Sequence, residues 1–159
     1  MSETSSSQAS GPYCYEYPRP AVTVDIILFT FYDNDLKVLL IERKHPPFEA
    51  TWALPGGARD SHESAIDTAI READEEAGIG GHELRVLSAC VTHNAPSGWT
   101  YTTVIAEVDE PVRTVANGES TELRWVDITD VEHMPLHPAF GRSWPRLKDH
   151  LTTAARQQS

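Results

Sequence analysis

Apolar and β-branched residues run almost unbroken from Ala21 to Tyr32 (AVTVDIILFTFY), and a second run covers Leu36 to Ile41. Asp33-Asn34-Asp35 between them supplies turn chemistry, so the pair predicts a long hairpin. Pro46-Pro47 makes Arg43 to Thr51 a loop, after which Trp52-Ala53-Leu54 is a short extended piece ending at Pro55-Gly56-Gly57. From Ser64 to Ala77 neither Gly nor Pro interrupts, and Ile66, Ala69, Ile70, Ala73 and Ala77 recur at helical spacing. Gly78 stands where a helix C-cap belongs. Glu83 to Val91, Tyr101 to Val108 and Glu122 to Val126 read as further strands, followed by a helical turn at Thr129 to His133. A last helix is expected from about Trp144 to Ala155, with Pro145 in its first turn. Strands surrounding two helices predict one mixed α/β layered domain.

At 159 residues the chain fits a single domain, expected over residues 17–153, with residues 1–16 a disordered tail and 154–159 a frayed one. The first twelve residues are polar and serine-rich, with neither a basic region nor an apolar core, so they do not read as a signal peptide. No stretch approaches the roughly 20 apolar residues that cross a bilayer, and a cytoplasmic location is expected. The formal charge of -11 opposes broad contact with nucleic acid or anionic membrane, so an anionic substrate would need local cations. The two cysteines, Cys14 and Cys90, are expected to be free thiols.

The chemistry concentrates in Gly57 to Ile79, GARDSHESAIDTAIREADEEAGI, which carries seven acids against two arginines. At about 100° per residue, Glu72, Glu75 and Glu76 share one helix face, beside the apolar stripe that would dock on a sheet. Like charges at i, i+3 and i+4 destabilise a helix by a few tenths of a kcal/mol per pair, as a merely solvated face would also have to bear. Three convergent carboxylates are also what a hard divalent cation wants, because Mg²⁺ binds through a few carboxylates together with substrate phosphates. Spacing alone leaves both readings open.

The order Gly57, Glu63, Arg71-Glu72-Ala73, Glu75-Glu76, Gly78-Ile79 resembles the complete Nudix box, over 23 of the 159 residues. The one departure is Ala73, where a bulkier aliphatic residue is usual. The lead-in Trp52-Ala53-Leu54-Pro55-Gly56-Gly57 and the start Tyr17-Pro18-Arg19-Pro20 are also similar to that family. The resemblance implies a Nudix-type α/β/α sandwich with a central mixed β-sheet, and Mg²⁺-dependent hydrolysis of a nucleoside diphosphate derivative, with Mn²⁺ as a substitute cation. By position it makes Glu75 and Glu76 the principal metal ligands, helped by Glu72 and a main-chain carbonyl at Gly56 or Gly57. Arg71 becomes a structural cation orienting Glu75 or Glu63. The general base lies either within the box or on a later loop, where Glu119 and Glu122 are the candidates.

Arg43, Lys44 and Arg59 flank the expected mouth and could offset substrate phosphates, although surface cations need no such role. Trp99 and Tyr101 are candidates for stacking on a base or for core packing, and His93 in the VTHNAPSG loop is a candidate substrate contact. The seven histidines show no HxH or HExxH spacing, so a zinc site is not expected. The flanks favour ADP-ribose or a similar nucleoside diphosphate sugar, with an oxidised nucleoside triphosphate such as 8-oxo-dGTP as the second substrate class. A third reading is a ligand-sensing module like Nudix-related regulators, which join the domain to a DNA-binding one and often carry a damaged box. Here the box is whole, and only about thirty residues follow Val126. The expected partner is therefore a small nucleotide rather than nucleic acid or membrane, and a homodimer fits the many dimeric relatives.

Overall fold

A computed structural model describes residues 22–94, 98 and 100–157, and of Thr92, His93 and Asn94 only the backbone. The expected N-terminal tail, Cys14, the Tyr17–Pro20 start and Trp99 lie outside the described residues. Strands β1 (Val22–Tyr32) and β2 (Asp35–Arg43) form the hairpin, with Tyr32 opposite Asp35. Asp33 and Asn34 both take positive φ, 55° and 67°, the two-residue turn whose twist matches the strands and which Asp and Asn tolerate. The short β3 (Trp52–Ala53) and β4 (Gly56–Ala58) follow, then β5 (Arg85–Asn94), β6 (Thr100–Glu107) and β7 (Ser120–Asp127).

One mixed sheet contains them all. β1 pairs in parallel with β6 along Val22–Phe29, and antiparallel with β2 at its far end and β4 at its near end. β2 pairs with β7, and β5 closes the β6 edge. The alternation of β1 sorts the core into two layers: Val24, Ile26 and Leu28 meet Ala69, Ala73 and Ala77 of helix α1 (Ala65–Ala77) on one face. Ile27 and Phe29 meet Phe140, Trp144, Leu147 and Leu151 of helix α2 (Pro138–Arg156) on the other. The result is the α/β/α sandwich, and no helix among the described residues is long and apolar enough to cross a membrane.

Helix α1 is defined at both ends by its sequence. Ser64 caps it through a reciprocal pair, Asp67 N–H donating to Ser64 Oγ at 3.0 Å and Ser64 N–H to Asp67 Oδ2 at 3.3 Å, and Gly78 ends it at φ 72°. Its buried face differs from the expected stripe: Ile66 is 40% exposed, while Glu72 and Glu76 are buried at 8% and 7%. Alanines at 69, 73 and 77 let the helix lie close to the sheet, so the covered strip includes the two glutamates beside them.

Helix α2 begins six residues before the expected Trp144. His137 caps it by accepting the Ala139 N–H at Nδ1 (3.1 Å), Pro138 opens its first turn, and Pro145 stands in its interior. Pro138 is the residue with the N1 role; Gly141 and Pro145 look like breakers but are overridden by burial of Phe140, Trp144 and Leu147. The helix also runs past the expected domain end at 153, with Ala155 buried at 2%.

Candidate active site

On the α2 face of the sheet a cleft of about 1,000 Å³ opens between the glycine turn at Gly56–Gly57, the start of α2 and the ends of β1, β2 and β6. Its walls include Asp25, Arg43, Glu76, Tyr101, Glu119 and His137.

The acidic end is built from α1. Arg71 lies at the centre of its network. The guanidinium takes Glu63 in a two-point grip, Nε to Oε2 at 2.8 Å and Nη2 to Oε1 at 3.0 Å. Its Nη1 reaches Glu72 at 3.0 Å and Glu75 at 3.1 Å, and Nη2 also donates to the Ala58 carbonyl at 3.1 Å. The hydrogen bond from Arg71 holds the Glu63 carboxyl down to about 2. Glu76, one turn after Glu72, meets no cation among the described residues and instead accepts the Gly56 N–H at 2.9 Å. Burial pushes its pKa up to about 7, and the negative charges of Glu72, Glu119 and Asp25 add to the rise. Burial likewise raises Glu72.

The two glycines are what let α1 stand this close to β1. A Cβ at Gly57 would come within 2.5 Å of Glu72 Oε1, and one at Gly56 would strike the Val24 carbonyl and lie 2.8 Å from Asp25 Cα. This donor set suits a hard cation: two buried carboxylates, Glu76 among them crowded by like charge, close against the side-chain-free Gly56–Gly57 segment. Among the described residues no three acids or histidines already stand close enough together to hold an ion; Glu75, half exposed, is turned to Arg71.

Glu119 reaches the cleft because its loop is tied to the end of α1 and to the loop after β2. Val115 N–H donates to the Ala77 carbonyl at 2.9 Å, Asn117 Nδ2 to the Glu75 carbonyl at 3.2 Å, and Lys44 N–H to the Glu119 carbonyl at 3.1 Å. Glu122 is placed elsewhere: it is exposed on β7, its carboxylate held by Arg124 at 2.9 and 3.0 Å. Of the two later-loop acids the structure brings only Glu119 to the cleft. Arg43, Tyr101, Gly57 and Glu76 line it, whereas Arg59 and Lys44 do not. His93 lies opposite Tyr101 in the β5–β6 ladder.

Sequence reasoning missed Asp25. It alternates onto the α2 face of β1, where burial raises its carboxyl to about 7. An acid inside an apolar run on a strand is the signal that could have singled it out. Asp25 and Glu76 both have folded-state pKa values above their unfolded ones, 3.8 and 4.5. Across that window the folded chain keeps protons the unfolded chain releases, so each group's contribution falls as pH rises to about 7 and is constant above it. Asp25→Asn deletes one such loss. In metal-free buffer the melting temperature of the variant relative to the parent should therefore climb from pH 4 to pH 8. A difference that stays constant over that range would show that Asp25 titrates as a solvated acid.

The NUDIX domain profile matches residues 20–147, most of the chain. The chain belongs to the NUDIX hydrolase family. Divalent-metal dependence is general in this family. The crystal structure of the Nudix hydrolase RenU from Mycobacterium smegmatis superposes with a TM-score of 0.80 at 42% identity, covering 84% of this chain and 87% of that one. The NUDIX domain of Shewanella oneidensis NrtR, solved with ADP ribose, superposes with a TM-score of 0.65 at 26% identity over 85% of this chain and 90% of that one. A Mycobacterium tuberculosis protein provisionally named 8-oxo-dGTP diphosphatase 3 is 51% identical over 102 residues, 62% of this chain and 47% of the relative. The chain thus spans about half the length of that curated relative.

Proposed function

We propose that the protein hydrolyses the diphosphate linkage of ADP-ribose or a similar nucleoside diphosphate sugar, with Mg²⁺ as its cation and Mn²⁺ as a substitute. The observation that carries the chemistry is the pair of buried carboxylates, Glu72 and Glu76, packed against Gly56–Gly57, with Glu76 and the two glycines on the wall of a nucleotide-sized cleft. Glu72, Glu75, Glu76 and a carbonyl of Gly56 or Gly57 would hold the cation. When bound, the cation supplies charge neutralisation for the transferring phosphoryl group and acidifies the attacking water.

The chain's own contribution is placement. The Gly56 N–H fixes the Glu76 carboxylate, and Arg71 restrains Glu72 and Glu75. Glu119 stands close enough to raise Glu76 and is the later-loop acid positioned to take a proton from water. Tyr101 and Arg43 on the cleft wall are the substrate contacts. The fold likeness to the NrtR domain solved with ADP ribose supports that substrate.

A second reading, pyrophosphohydrolysis of an oxidised nucleoside triphosphate, is favoured by the M. tuberculosis relative. The two readings separate in one assay. Purified protein with Mg²⁺ should convert ADP-ribose into AMP and ribose 5-phosphate, resolved by chromatography. Conversion of 8-oxo-dGTP to monophosphate and pyrophosphate, with ADP-ribose untouched, would move the assignment to the second.

A further inference from the structure

The cleft carries a second charged group that the box does not account for. Arg43 at the end of β2, His137 at the cap of α2, and Arg142 and Arg146 on the first turns of α2 all line it, with His45 beside them. Burial lowers the His137 pKa, and the charges of Arg43 and Arg142 lower it further, so a neutral imidazole and two guanidiniums that line the same cleft sit within electrostatic reach of one another. Acids line the same cleft, yet among the described residues neither Arg43 nor Arg142 forms an ion pair with a carboxylate. Arg43 gives its Nε to the neutral Pro47 carbonyl at 3.1 Å.

The fold holds the cluster in place. His137 N–H donates to the Trp52 carbonyl at 2.8 Å, Trp52 N–H donates to Pro135 at 2.8 Å, and Phe48 packs edge-on against the imidazole at 4.7 Å. Because His137 Nδ1 accepts the Ala139 N–H, its proton resides on Nε2, a donor. The positive end of the α2 dipole adds to the same region.

We infer that Arg43, His137 and Arg142 form a phosphate-binding subsite that takes the phosphate on the far side of the scissile linkage from the one at the carboxylate end. This rests on the diphosphate reading above and adds to it the orientation of the substrate. The glutamates would hold the cation that neutralises one phosphate, and the α2 cluster would hold its neighbour directly, the guanidiniums through charge-assisted hydrogen bonds. The two guanidiniums would offset the charge that grows on the departing phosphate, with His137 Nε2–H as a neutral donor.

Inorganic pyrophosphate is the probe, titrated calorimetrically into the full chain in buffer freed of metal over a chelating resin. The parent should bind it, and Arg142→Gln should weaken binding about tenfold or more, the loss of one charged hydrogen bond. Arg142→Lys should recover part of the affinity, and the unliganded Tm should stay unchanged because Arg142 is exposed. Glu76→Gln should bind at least as tightly as the parent, its charge being at the other end. Equal affinity in parent and Arg142→Gln, or no binding by the parent, would overturn the subsite. Because the probe is not turned over, this result is independent of whether ADP-ribose is hydrolysed; failure of hydrolysis with the pyrophosphate result intact would strike the substrate assignment alone.

Discussion

Glu76→Gln should abolish most turnover and at the same time make the metal-free protein more stable at pH 8. Both halves follow from where the carboxylate sits. It is 93% covered, has one hydrogen bond, from the Gly56 N–H, and faces Glu72, Glu119 and Asp25 without a cation. An amide keeps that hydrogen bond through its oxygen, so the fold loses nothing there. The shift from 4.5 to about 7 sets an upper bound of roughly 3 kcal/mol on what ionising Glu76 costs the folded state. The variant should recover a share of it at pH 8 and none at pH 4, where the parent is already protonated. Activity moves the other way: a neutral amide is a poor ligand for a hard cation, so turnover with Mg²⁺ should fall about 100-fold or more. Glu75→Gln should lose activity comparably but leave stability near the parent's, because Glu75 is half exposed and paired with Arg71. Added Mg²⁺ should raise the parent's Tm and raise that of either variant less. Melting curves with and without Mg²⁺, together with initial rates, read all of this. Near-normal turnover in both variants would return the acidic face to a solvated one and remove the proposed mechanism.

How much of this was legible in the chain depended on how local the cause was. The hairpin could be read because Asp33-Asn34 is a local turn signal, and α1 because Ser64, Asp67 and Gly78 mark its ends within the segment itself. The start of α2 could not, because Gly141 and Pro145 argue against a helix locally and the burial of Phe140 and Trp144 that overrides them is tertiary. The same division holds in the site. The glutamates of the box lie on one helix and were found together. Asp25 on β1, Glu119 on the loop before β7, and His137 with Arg142 at the start of α2 come from three separate places and meet only across the cleft. Their meeting depends on β1 lying between β4 and β6, and on α2 starting at His137 rather than Trp144. Glu119 and Glu122 are both candidates in the sequence as acids just before the Arg124-Trp125-Val126 strand, yet the position of Glu122 on β7 and its Arg124 pair carry it away from the cleft.

The adjacent glycines of the turn should respond to alanine in opposite ways. At Gly56 the new Cβ meets main chain, the Val24 carbonyl and Asp25 Cα, on the central strand of the sheet. Backbone in a paired β1 cannot step aside, so the strand must separate from β4 or distort. Gly56→Ala should cost about 2–4 kcal/mol, or roughly 5–15 °C in Tm for a domain of this size. At Gly57 the Cβ meets only the carboxyl end of Glu72, with Oε1 at 2.5 Å and Cδ at 2.8 Å. A flexible side chain can swing away, so Gly57→Ala should lower Tm by no more than about 1 kcal/mol's worth, a few degrees. That swing, however, takes Glu72 from Arg71 and from its place against Gly57, where the cation is proposed to bind. Turnover should then fall by about 10-fold or more while the fold stands, with the loss partly relieved at high Mg²⁺. Gly118→Ala is the control, since a Cβ there meets nothing within 4 Å. Differential scanning fluorimetry and rates at two Mg²⁺ concentrations distinguish the three. If Gly57→Ala unfolds as readily as Gly56→Ala, the turn is tight for packing reasons alone. If Gly57→Ala keeps full activity, Glu72 is not held where the reaction needs it.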